Sequence, residues 1–253
     1  MCNPDGQLWA DSPSQGLVKI GNISSSQAFA IIHSLAGIHG VVVDQDNPRL
    51  EVDLPFFNTM QGERFSAQIP PVVTSPCFTL RKKSEMIFSL QDYVDSGRLT
   101  PKQQDALQAL VQQRRNILVC GGPGSGKTTV TNALIHEFVK YDPHQRIFIL
   151  EDVHELQCKA DNVVSMLTSK AVNLTDLLRS AMRMRPDRIL IGEIRGAEAL
   201  DMLKAWNTGC PGGICTVHAN GGVEAIQRVM DLAMEAGLTT PPIALMLHTL
   251  HAV

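Results

Sequence analysis

The chain has 253 residues, room for one large domain or two modest ones, and at 44% hydrophobic and 19% charged it has the composition of an ordinary globular protein. A formal net charge of -3 and an aromatic content of 5% argue against bulk attraction to nucleic acid or anionic lipid, and against a platform for stacking bases, so direct nucleic-acid binding is not expected. No apolar run approaches the about 18 residues of a membrane span, and Met1-Cys2-Asn3-Pro4-Asp5-Gly6 is not the start of a signal peptide, so a cytoplasmic protein with at most peripheral membrane contact is expected.

Residues 1–88 read as a small α+β domain. Asn3-Pro4-Asp5-Gly6 is a turn between short extended segments. Ser24 with Gln27 three residues on forms a capping box, and the helix it opens runs to about Gly37 with Ala28, Ile31, Ile32 and Leu35 on its apolar face. Strand-like runs follow at Val41–Val43, Leu50–Leu54, Phe65–Ile69 and Cys77–Leu80, separated by turns carrying Pro48, Pro55, Gly62, Pro70 and Pro71. Residues 89–102 read as a linker with a short helical turn at Leu90–Val94. Thr100-Pro101-x-Gln103 then opens a helix with Thr100 as N-cap and Pro101 in its first turn.

Residues 103–253 read as an α/β domain. Short apolar strands at Ile117–Cys120, Ile147–Leu150, Ile189–Ile191 and Ile214–Val217 alternate with helices over about Gly126–Lys140, Leu174–Met184, Ala197–Thr208 and Val223–Ala236. That alternation predicts a mostly parallel sheet buried on both faces. The six cysteines, Cys2, Cys77, Cys120, Cys158, Cys210 and Cys215, form no C-x-x-C pair and read as reduced thiols.

Three features of this half carry chemistry. Gly121-Gly122-Pro123-Gly124-Ser125-Gly126-Lys127-Thr128 fits the phosphate-loop pattern G-x-x-x-x-G-K-[ST], with a strand leading in and a helix leading out. Glycines let backbone N–H groups converge on phosphate oxygens, the helix N-terminus adds positive dipole, and Lys127 reaches the outer phosphates. Thr128 is expected to place its hydroxyl on Mg2+. The strand at Ile147 runs into Glu151-Asp152-x-x-Glu155, and the strand at Ile189 runs into Gly192-Glu193. Carboxylates at the carboxyl ends of parallel strands lie where a phosphate loop needs metal-holding and water-orienting groups. His218 closes the last strand. It reads equally as a hydrogen-bonded rim residue and as a sensor of the phosphate state.

In this order the blocks resemble those of the secretion traffic ATPases, the superfamily powering type II secretion, type IV pili and type IV secretion. They are a Walker A loop over Gly121–Thr129, an acidic box over Glu151–Leu156, a Walker B strand ending in Gly192-Glu193, and a histidine box over Gly212–Asn220. Glu155-Leu156-Gln157-Cys158, Met184-Arg185-Pro186-Asp187-Arg188 and Lys204-Ala205-Trp206-Asn207-Thr208-Gly209 are similar to the conjugal-transfer branch, and Asn3–Trp9, Arg64-Phe65 and Phe78–Lys82 resemble its N-terminal domain.

The resemblance implies a RecA-like P-loop NTPase domain behind a small α+β domain, in a protomer of a homo-hexamer that hydrolyses Mg-ATP. Phosphates would lie on Gly121, Gly122, Pro123, Gly124, Ser125, Gly126, Lys127, Thr128 and Thr129, with Mg2+ on Thr128 and Glu193. Glu193 and Glu155 would handle the metal and the attacking water, with His218 and Arg195 completing the catalytic set. Arg64, Arg81, Arg183 and Arg185 are further candidates for neutralising γ-phosphate charge. Implied partners are secretion or conjugation channel proteins at the inner face of the inner membrane. Relatives continue further at both ends, so a shortened chain, truncated after the apolar segment from Ala244, is expected. A type II secretion or pilus motor, and an ATP-binding scaffold with little turnover, are the alternatives.

Overall fold

In a computed structural model that describes residues 1–12, 15–54, 56–57, 60–82 and 87–249 (side chains at 56, 57, 60 and 61 aside), the chain forms two compact units, Met1–Ser84 and Glu85–Val253.

In the first unit the turn at Asn3–Gly6 precedes an antiparallel hairpin, β1 (Gln7–Ser12) with β2 (Gly16–Asn22). Helix α1 (Ser25–Ile38) starts on the expected capping box: the Ser24 hydroxyl accepts from Gln27 N, and Gln27 Oε1 accepts from Ser24 N. β3 (Arg49–Asp53), β6 (Arg64–Gln68) and β7 (Cys77–Arg81) form an antiparallel sheet in the order β3-β6-β7, while β4 (Phe56–Phe57) pairs with β5 (Met60–Gln61). Ile32, Ala36, Leu50, Phe65 and Ala67 make the core. Two expectations are corrected here. Ile31 is 38% exposed, and Ala36 occupies the buried stripe instead. Val41–Val43 is irregular chain rather than a strand, and only Val43 of the three is buried.

The second unit is built on a five-stranded parallel sheet in the order β10-β9-β11-β12-β8. Its strands are β8 (Ile117–Cys120), β9 (Ile147–Glu151), β10 (Val163–Leu167), β11 (Arg188–Ile191) and β12 (Ile214–Val217). Successive residues along each strand alternate between the two faces. Ile147, Ile149, Leu190 and Ile214 pack with Leu90 of α2 (Leu90–Asp95), Val111 of α3 (Pro101–Gln112) and Leu134 and Phe138 of α4 (Lys127–Tyr141). Phe148, Leu150, Ile189, Ile191 and Cys215 face the other way, onto α5 (Leu174–Met182), α6 (Glu198–Asn207), α7 (Gly222–Met234) and Met246 of α8 (Ile243–Thr249). Two buried faces explain why these strands read as continuous apolar runs. Residues 89–102, expected to link the halves, carry α2, and Leu90 is fully buried in this core.

Polar pins hold the amino ends of these strands. Asn116 Oδ1 accepts from Gly212 N (2.8 Å) and Gly213 N (3.1 Å), while its Nδ2 donates to Thr249 O (2.8 Å), so α8 is tied to the entries of β8 and β12. A Cβ on Gly213 would run into Trp206 Nε1, which is buried and donates to Ile189 O at 3.3 Å. Only glycine fits beneath that indole.

Arg188 opens β11 with its whole side chain buried. It donates to Gln145 Oε1, Gly212 O (2.6 Å) and Val111 O (3.3 Å), and lies over the Phe138 ring at 4.4 Å. Burial, with Arg114 nearby, lowers its pKa to about 10, which still leaves it charged at neutral pH. Arg188→Met fills the volume but leaves three buried acceptors without this donor. Relief from desolvating the charge offsets only part of that loss. The expected result is a second unit less stable by about 3 kcal/mol, seen as a melting temperature about 6–12 °C lower. Unchanged melting would mean that water takes over all three carbonyls.

Candidate active site

The sheet order determines which side chains can meet. Val217 pairs with Cys120, so His218 and Gly121 emerge side by side from β12 and β8. Ile191 pairs with Leu150 on the other side, so Gly192 and Glu151 emerge together from β11 and β9. The phosphate loop, His218, Glu193 and the acidic segment after Glu151 therefore share one carboxyl edge of the sheet.

The loop between β8 and α4 is a cradle of main-chain donors. Gly124 (φ +70°) and Gly126 (φ +91°) take the left-handed backbone that side chains disfavour. A Cβ on Gly121 would collide with Ser125 Oγ. Gly126 is the N-cap of α4 and supplies no side-chain cap, so the first-turn amides of Lys127, Thr128 and Thr129 lack a side-chain acceptor within the helix start. Pro123, Gly124 and Ser125 form the exposed rim of the loop, with Gly122 partly covered. Lys127 Nζ lies 2.9 Å from Gly121 O, 3.0 Å from Gly122 O and 3.2 Å from His218 Nδ1.

That last contact sets the histidine. A lysine ammonium can only donate, so Nδ1 accepts and the ring proton sits on Nε2. His218 Nε2 is 2.9 Å from Glu193 Oε1, and Arg195 Nη2 is 2.9 Å from Glu193 Oε2. Arg195 Nη1 lies 3.5 Å from Asp152 Oδ2, and Thr168 donates to Asp152 Oδ1 at 2.9 Å. The hydrogen bond to Glu193, with the Asp152 and Glu155 carboxylates close by, holds the Arg195 guanidinium above its usual pKa. Lys127, His218, Glu193, Arg195 and Asp152 thus form one continuous polar chain across three strand ends.

A second connection runs from α4. Thr128 Oγ1 donates to Glu155 Oε2 at 3.0 Å. Glu151, 2% exposed, accepts on Oε1 from the backbone of Glu155 (2.9 Å) and Leu156 (2.8 Å). Its Oε2 lies 3.6 Å from His154 Nδ1. Gly192 makes room for this carboxylate, since a Cβ there would sit 3.1 Å from Glu151 Cγ. The residues singled out on the sequence within this unit, the phosphate loop, Glu155, Glu193, Arg195 and His218, are therefore drawn into two linked clusters. Arg183 and Arg185 lie before the amino end of β11, away from that edge, and Arg64 lies 3.9 Å from Glu51 in the first unit. The sequence held no signal for Asp152 and Thr168 as the far anchor of Arg195.

The donors fit a nucleotide and a hard divalent cation. Amides and an ammonium suit phosphate oxygens. A hydroxyl and carboxylates suit Mg2+, which keeps water and phosphate oxygens in its shell rather than needing a protein cage. Among the described residues no group of three or more His, Cys, Asp or Glu side chains could hold a metal ion.

Comparison with known proteins agrees with this geometry. The model of a family described as Type II/IV secretion system protein matches residues 45–252. A probable conjugal transfer protein TrbB of Sinorhizobium fredii (strain NBRC 101917 / NGR234) is 43% identical over 236 residues, covering 93% of this chain and 71% of that protein. The type IV secretion system protein PtlH of Bordetella pertussis is 34% identical, covering 92% of this chain and 76% of that protein. Among solved structures, the VirB11 ATPase from the Brucella suis type IV secretion system, in complex with sulphate, aligns with a TM-score of 0.55 and 27% identity over 98% of this chain and 83% of that one.

Proposed function

The chain belongs to the Type II/IV secretion system protein family, and on that footing we propose that it hydrolyses Mg-ATP to energise pilus assembly or substrate transfer in a type IV secretion or conjugal-transfer machine. The observation that carries the reading is the run of close polar contacts from Lys127 through His218 to Glu193 and Arg195, beside the Thr128–Glu155 contact. It brings a phosphate-binding cation and two carboxylates to one sheet edge, the equipment of hydrolysis rather than of binding alone.

Each residue has a share. The α4 amides and Lys127 hold the phosphates, and their positive charge answers the charge that develops as the bond to the γ-phosphorus breaks. Thr128 and Glu193 would hold Mg2+, which when bound neutralises phosphate charge. Glu155 orients the attacking water and accepts its proton. His218 joins the phosphate loop to Glu193, so a shift of Lys127 toward a phosphate is felt at the Walker B carboxylate. Arg195 fixes the other carboxylate oxygen of Glu193 against Asp152.

At the level of assembly, the protomer joins five copies of itself in a ring and works at the inner face of the inner membrane with channel proteins. The family relationship and the relatives' secretion roles support this part. No helix among the described residues is long and apolar enough to cross a membrane. The test is phosphate release from ATP by the purified chain, with mass measured in the same buffer. Release that requires Mg2+ and stops on chelation is expected, together with a six-fold mass in Mg-ATP. Tight ATP binding without phosphate release at any protein concentration would instead leave a nucleotide-gated scaffold.

A further inference from the structure

Asn132 sits five residues after Lys127, inside α4, and is 6% exposed. A buried asparagine is a poor helix residue, and a packing role would be served better by an apolar side chain. Its amide is spent on the acidic box. Nδ2 donates to Glu155 O at 3.3 Å, and Oδ1 accepts from Gln157 N at 2.8 Å. The two bonds hold the chain immediately after Glu155, at its carbonyl and at the Gln157 amide, from the α4 side, while Glu151 Oε1 takes the Glu155 and Leu156 amides from the sheet side. The backbone of residues 155–157 is therefore held between the helix that begins at Lys127 and the end of β9.

We infer that Asn132 is a positioning residue for hydrolysis: it locks the acidic box to the phosphate-loop helix, so that Glu155 keeps a fixed place relative to Lys127 and Thr128. This rests on Glu155 acting on the attacking water, as proposed above. Thr128 alone does not secure that place, because a single hydroxyl contact at 3.0 Å leaves the main chain able to swing. With both amide bonds in place the carboxylate and the phosphate loop move as one body, the precision that water attack requires. Both side-chain bonds of Asn132 go to the backbone of the acidic box, so its effect passes through the placement of Glu155.

The test is a double-mutant cycle on the full chain. Steady-state phosphate release and ATP affinity are measured for Asn132→Ala, Glu155→Gln and the pair, with melting temperature as a check of fold. Asn132→Ala is expected to lower kcat about 10- to 100-fold while ATP affinity stays within about twofold, the signature of lost transition-state positioning. In the Glu155→Gln background the same change is expected to cost less than about twofold, because nothing is left to position. Equal losses in both backgrounds, or a kcat loss matched by weaker ATP binding, would make Asn132 a packing residue of α4 and overturn the inference. Wild-type turnover in Glu155→Gln would remove the role of Glu155, and the inference with it. Should Asn132→Ala fail to fold, Asn132→Asp keeps the shape and the acceptor but loses the donor to Glu155 O. It is then read in the same two backgrounds and must show the same non-additivity.

Discussion

Lys127→Ala is expected to weaken ATP binding about 10- to 100-fold and to cut phosphate release about 100-fold or more. The lysine is held in place by its own loop: Nζ reaches Gly121 O, Gly122 O and His218 Nδ1 at 2.9, 3.0 and 3.2 Å. Alanine removes the charge that answers the phosphates and the donor that sets the His218 ring. Binding falls by the value of a charge-assisted contact, whereas turnover falls further because charge grows on the phosphoryl oxygens in the transition state. Lys127→Arg is not expected to rescue, since a rigid planar fork cannot serve three acceptors arranged around a compact ammonium. Calorimetric titration with ATP, run beside the phosphate assay, separates the two effects. Turnover near the wild-type rate in Lys127→Ala would remove the phosphate loop from the mechanism.

Glu193→Gln is expected to lose turnover without losing binding, with ATP affinity nearly intact and turnover reduced roughly 100- to 10,000-fold. The geometry explains why so small a change matters. Both oxygens of Glu193 face a nitrogen at 2.9 Å: Oε2 accepts from Arg195 Nη2, and the buried Oε1 lies beside His218 Nε2. Glutamine offers one oxygen and one NH2 group, so one neighbour must face a donor with a donor. If that neighbour is His218, its proton must move to Nδ1, where it opposes the Lys127 ammonium. If it is Arg195, no tautomer can help, and the tie to Asp152 loosens. Either way the chain of contacts breaks at its centre, beyond any loss at the metal. Phosphate release and nucleotide affinity measured on one preparation decide the matter, and unchanged turnover would take Glu193 out of the chemistry.

The phosphate loop could be read directly, because its residue types at that spacing have one physical use and the flanking strand and helix were visible on either side. The acids were legible for a related reason: four short apolar strands separated by helices leave little choice but a parallel sheet, whose carboxyl ends converge. What stayed hidden was the order of those strands. Nothing local in Ile214–Val217 says that it inserts between β11 and β8, yet that insertion alone puts His218 between Lys127 and Glu193. β10 escaped notice because Val163–Leu167 is an edge strand with exposed positions and a polar lead-in, so its apolar pattern is broken. Val41–Val43 misled in the other direction, a β-branched run that places one side chain in the core without joining a ladder. Asn132 is silent in sequence, since an asparagine in a helix announces nothing until its partners are known.

The glycine that admits Trp206 has a use at the bench. The chain has two tryptophans, one in each compact unit: Trp9 in the first and the buried Trp206 in the second. Emission from Trp206 will shift to the red when the indole leaves its niche beneath Gly213, so a Trp9→Phe chain becomes a single-fluorophore reporter of the catalytic unit. With it, the stability of that unit can be followed by light alone, without interference from the other half of the protein.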